Sequence, residues 1–116
     1  MTERTPEQVN RAIAAALGWT LNGEQPGWGI EPKGQHAGRY PDWYHDLNAL
    51  KRDVESVLEA AGLVPYLWTV EEGPLKGQRA VTWLFPTKVR ATVRPDECAA
   101  RAEAGLAALL TLKINS

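Results

Sequence analysis

The chain has little with which to cross-link or anchor itself. Cys98 is the only cysteine, so no intramolecular disulfide can form, and a reducing compartment is expected. No apolar run approaches the roughly 18 residues of a membrane-crossing helix. The opening Met1-Thr2-Glu3-Arg4-Thr5-Pro6-Glu7 lacks the apolar core of a signal peptide, which points to the cytoplasm. Charge of one sign is also missing. A formal net charge of -1 argues against a whole-molecule electrostatic grip on nucleic acid or anionic lipid. Neither Gly27-Trp28-Gly29 nor Gly73-Pro74-Leu75-Lys76-Gly77 follows a strand and opens a helix, as a phosphate-binding loop must. No cofactor is implied.

What is present suits one α+β domain over residues 1–116, a length at which a core can form without staples. The first helix has a clear start. Thr5 caps, Pro6 takes the first helical position, Gln8 completes a capping box, and Val9, Ala12, Ile13, Ala16 and Leu17 share a face before Gly18 stops the helix. A short strand is expected over Trp19–Asn22. Glycines and prolines then punctuate an irregular loop of about residues 23–43, with a short strand at Trp28-Gly29-Ile30. A second amphipathic helix carries Leu47, Leu50, Val54, Val57, Leu58 and Ala61, and Gly62 ends it.

Three alternating strands follow, over 63–70, 80–85 and 89–94. Because Pro86 disfavours a two-residue hairpin, a three-residue loop is expected, pairing Phe85 with Val89, Trp83 with Ala91 and Val81 with Val93. That register places Trp68 and Trp83 on one dry face and turns Arg90 and Arg94 away from it. Pro95, Asp96 and Glu97 open a third helix, whose stripe is Ala99, Ala102, Leu106, Leu109 and Leu110, with fraying expected after Leu112. The sum is an α/β/α layered sandwich: an antiparallel sheet of three to five strands with three helices.

Ala16-Leu17-Gly18-Trp19, Pro41-Asp42-Trp43-Tyr44-His45-Asp46 and Arg94-Pro95-Asp96-Glu97-Cys98-Ala99-Ala100 together resemble the phage ABA-sandwich domain family. Tyr44 stands where that family has a small hydroxyl cap and Arg94 where it has a threonine cap, so both helix starts should be built differently here. The resemblance implies a fold and a phage or prophage origin. It implies no catalytic residue.

Function is sought first in the 23–44 loop. Trp28, Arg39, Tyr40 and Trp43 are the residue types of protein-binding hot spots, although tryptophans in such a loop also fold back to cover a core. The second place is the basic segment of Lys76, Arg79, Lys88, Arg90 and Arg94, which could neutralise phosphates or simply protect an edge strand. The third is His36, Asp42, His45 and Asp46. Their spacing fits no metal or acid–base pattern, and Asp46 more simply serves a helix start. Cys98 has no histidine near it in sequence and is expected to be inert. The sequence therefore favours a small phage- or prophage-type accessory protein, non-catalytic, binding a host or phage protein through Trp28, Arg39, Tyr40 and Trp43. A nucleic-acid-binding β-ribbon is the alternative. A small enzyme or ligand-binding protein using residues 23–46 is the third reading.

Overall fold

The computed structural model describes residues 5–21, 27–32, 36–84 and 91–115, with side chains as far as Leu112. Helix α1 spans Pro6–Ala16 and begins as its sequence dictates. Thr5 Oγ1 accepts from Gln8 N at 3.2 Å, and Gln8 Oε1 accepts from Thr5 N at 2.8 Å. Gly18 follows at a φ of 99°, which the stop requires.

Strands β1 (Thr20–Leu21), β2 (Trp28–Ile30) and β3 (Ala37–Arg39) then form an antiparallel sheet in that order. The stretch expected to be irregular thus holds β3 as well as the β2 read from sequence. Turn residues crowd both strands and hide an alternation only three residues long. Gly29 is fixed by proximity: a Cβ there would lie 3.0 Å from the carbonyl oxygen of Thr20 and 3.4 Å from the Trp19 ring.

The second helix has three parts: α2 (Leu47–Leu50), a π-helical turn (Lys51–Glu55) and α3 (Ser56–Ala60). Asp46 caps it by accepting from Ala49 N at 3.2 Å, so the cap lies two residues beyond Tyr44. The wide turn has more residues per turn than an α-helix, which keeps residues four apart in line and rotates others out of line. Leu50, Val54 and Leu58 are therefore fully buried. Val57 and Ala61, expected on the same stripe, are exposed, and Glu55, which lies off that stripe, is buried. Glu55 accepts two bonds from Arg101, at 2.9 Å (Nε) and 2.6 Å (Nη2).

The second sheet has the order β4 (Val64–Thr69), β5 (Arg79–Leu84), β6 (Thr92–Arg94) and is antiparallel throughout. Its register corrects the sequence reading. Val81 lies opposite Thr92 and Ala80 opposite Val93, one residue away from the expected pairing of Val81 with Val93. The Phe85–Val89 part of that expectation, with Lys88 and Arg90, lies outside the described residues. Directly opposite residues share a face, and Leu67, Val81, Thr92 and Arg94 consequently lie on the Trp83 side. Trp68 lies on the other side, with Val64, Tyr66, Ala80 and Leu84. The two indoles do not share a face, and Arg94 is on the side it was expected to avoid.

The reason is the last helix. α4 (Glu97–Asn115) lies against β5 and β6 and continues past Leu112. Asp96 caps it, accepting from Ala99 N at 3.0 Å, so Pro95 precedes the cap instead of occupying the first turn. Glu103 of α4 receives a forked pair of bonds from Arg94, one of them 2.8 Å long (Nη2 to Oε1). An arginine can face the helix side because its charge is matched there. The core joins Val9 and Ile13 of α1, Leu50, Val54 and Leu58, Val81 and Trp83, and the alanines and leucines of α4. Gly105 is where α4 meets the π turn: a Cβ there would sit 2.9 Å from Val54 Cγ1.

The class is α+β with antiparallel sheets and three helices, as the sequence indicated. The helices cover the Trp83 face of the second sheet, and on its Trp68 face Val64, Tyr66, Trp68 and Leu84 are exposed.

Candidate functional site

The strand pairing divides the four loop residues into two groups. Glu31 N donates to His36 O and Tyr40 N to Gly27 O, both at 3.0 Å, which sets the hydrogen-bonding phase of β2 and β3. By alternation, Trp28 and Arg39 form a non-hydrogen-bonded pair, the kind in which opposed side chains approach most closely. Ile30 and Ala37 lie beside them on the same outer face. Trp28 is 43% and Ile30 39% exposed. The structure thus brings Trp28 and Arg39 together at the surface.

Tyr40 and Trp43 go inward. Trp43 is 0% exposed, and its ring stacks on Tyr40 with centroids 5.8 Å apart and planes 6° from parallel. Trp19 meets Tyr40 edge-on at 6.1 Å. Tyr40 Oη accepts from Gly27 N at 3.0 Å, and Trp43 Nε1 donates to Asp53 Oδ2 at 3.0 Å, so both polar tips are satisfied below the surface. These rings support the Trp28–Arg39 face from beneath and do not reach a partner.

Asn10 was invisible as a site residue and proves central to this support. Buried on α1, it donates to Asp42 Oδ1 at 2.7 Å and accepts from Tyr44 N at 2.9 Å, clamping residues 42–44 to the helix. One signal was available: Asn10 lies three and four residues before the buried Ile13 and Ala14.

Asp42 also accepts from or pairs with His45 Nδ1 at 2.9 Å. Burial alone would raise the Asp42 pKa, but the Asn10 bond and the His45 contact outweigh it and hold the carboxyl below its ordinary value. His36 is exposed in the strand connection, apart from this pair. Among the described residues no three His, Cys, Asp or Glu side chains gather as a metal site would require.

Arg39 stands between two open grooves. One, of about 590 Å³, is walled by Trp19, Pro32, Arg52, Asp53 and Val57. The other, of about 410 Å³, is walled by Pro6, Asn10, Gly27, Asp42 and His45. Arg52 is engaged by Asp53, whose carboxyl is held below its usual range chiefly by that bond. Arg39 makes no ion pair among the described residues.

The basic segment is less free than its sequence suggests. Arg79 and Arg94 lie opposite each other, Arg94 engages Glu103, and Arg79 donates to Thr69 Oγ1 at 2.9 Å and lies 3.9 Å from Glu97. Lys76 is exposed in the β4–β5 turn. Lys88 and Arg90 lie outside the described residues.

No family model matches the chain, and no curated protein matches it. Its fold is similar to the crystal structure of a phage protein from Bacillus cereus ATCC 14579, with a TM-score of 0.67 over 94% of this chain and 91% of that one. Identity is 16%, so the likeness is one of fold. No described helix is long and apolar enough to cross a membrane.

Proposed function

We propose that this is a small accessory protein of phage or prophage type, related to the ABA-sandwich proteins, that acts in the cytoplasm by binding another protein without catalysis. One observation carries the reading. Trp28 and Arg39 form a close cross-strand pair on an exposed sheet face, backed by the half-buried Trp19 ring and the buried Tyr40 and Trp43 rings. An exposed aromatic beside a cation that makes no ion pair among the described residues is the composition on which protein interfaces concentrate their binding energy. The matching partner surface carries an apolar pocket next to a carboxylate. The fold likeness to a phage protein supports the proposed origin.

The test compares partner capture from a bacterial lysate by the wild type, Trp28→Ala/Arg39→Ala, and Tyr66→Ala on the other sheet. Expected is a partner retained by the wild type and Tyr66→Ala and weakened at least tenfold by the double variant, since hot-spot truncations cost about 2 kcal/mol or more. Equal capture by all three overturns the reading. The nucleic-acid reading has less support, because carboxylates of α4 lie against both arginines described in the basic segment.

A further inference from the structure

The second sheet carries a feature the partner-binding reading does not use. Among the described residues β4 is an edge strand, paired only with β5. Its phase follows from the adjoining turn, where Val70 N donates to Gln78 O at 2.9 Å. Val70 therefore turns its backbone toward β5, as do Trp68, Tyr66 and Val64 by alternation. Pro65, Leu67 and Thr69 turn theirs outward. Edge strands are ordinarily blunted by charges, yet Leu63 to Val70 contains none. Within the strand the guard is Pro65, which has no N–H to offer.

We propose that this edge pairs with the same edge of a second copy of the chain, antiparallel, about a two-fold axis at Leu67. The strand is self-complementary in that register. Leu67 faces Leu67 of the second copy and exchanges both backbone bonds with it. Thr69 N donates to the carbonyl oxygen of Pro65 of the second copy, and the reciprocal bond is the one a proline cannot make. The two-fold thus uses every outward N–H between Val64 and Thr69. It also sets Tyr66 opposite Trp68 of the second copy on the open face, twice over, in close non-hydrogen-bonded pairs. An isologous contact of this kind closes at two copies and does not propagate.

Area sets the expected strength. Val64, Tyr66, Leu67 and Trp68 are 58%, 59%, 38% and 40% exposed. With whole aromatic side chains offering 150–250 Å², these four present on the order of 400 Å² per copy. Only part of that area is covered by edge pairing, so even with the backbone edge added the contact stays below the ~1,000 Å² floor of stable interfaces, the size class of weak, reversible association.

The experiment is sedimentation velocity of the purified chain alone, from about 1 to about 200 µM. Expected is a shift from monomer to dimer across that range. Thr69→Pro removes an outward N–H and keeps every backbone bond to β5, losing only the Arg79 bond to Thr69 Oγ1, and should leave a folded monomer by far-UV circular dichroism. Leu67→Lys and Leu67→Glu should each be monomeric, because like charges then meet at the axis, and an equimolar mixture of the two should recover dimer. A wild type that stays monomeric throughout overturns the proposal and leaves the edge to a strand from some other protein. So does a dimer that survives Thr69→Pro, or charge variants whose mixture does not associate. No partner protein enters this test, so its failure leaves the Trp28–Arg39 reading untouched.

Discussion

Cys98, the second residue of α4, shows how surroundings can overrule position. A helix N-terminus ordinarily favours a thiolate. Here burial opposes it first, the carboxylates of Asp96, Asp46 and Asp42 oppose it further, and the thiol pKa rises from 9.0 to about 11. Its sulfur lies 3.7 Å from the carbonyl oxygen of Trp43, another sign of a structural post. At pH 8 the thiolate fraction is then roughly a hundredth that of an unperturbed thiol. Iodoacetamide should accordingly label Cys98 about a hundredfold more slowly in the folded protein than in urea, read by intact mass against time. Similar rates in both states would mean that the thiol is neither buried nor shielded.

Between elements, the tightest approach is that of α4 to the π turn. Gly105 reads from sequence as a mild weakness in a helix, yet the space its missing Cβ leaves is filled by Val54. Gly105→Ala gains about 1 kcal/mol of helix propensity. It also forces a stiff, β-branched, fully buried side chain to move, at about 1–3 kcal/mol. The net should be a loss of about 1 kcal/mol, seen as a lower urea midpoint with an unchanged slope. A stabilised variant would show that the two helices can separate freely. Elements were legible where the cause is local: the Thr5–Gln8 box, the Gly18 stop, the α4 stripe of Ala99, Ala102, Leu106 and Leu109 (Leu110, expected with them, is exposed) and the alternation of β4 and β5 are all written in neighbouring residues. Register was not. The rule that sends arginines to solvent placed Arg94 outside, and Glu103, nine residues on and in another element, matches its charge on the inside. For the same reason, half of the candidate site was misjudged. Trp28 and Trp43 look alike in sequence, and the difference between them is the Asp53 carboxylate waiting for one indole.

At the scale of the molecule, Glu55 and Arg101 tie the two ends of the core together across 46 positions of chain. Both are nearly buried, and removing one partner strands the other charge without water. Glu55→Leu and Arg101→Met should each cost about 3 kcal/mol or more, whereas the two together should recover most of that loss. A double-mutant cycle by chemical denaturation measures the coupling, and additive single losses would show the pair to be incidental. The π turn between Leu50 and Leu58 has a different consequence, for how such chains are compared. A wide turn is one residue longer than the α-helical path joining the same two ends. A cousin with a regular helix here would need one amino acid fewer, and a gapless alignment could then match Leu50 or Leu58 to its counterpart, never both. Shape can persist across such a step while letter-by-letter likeness is scrambled on one side of it.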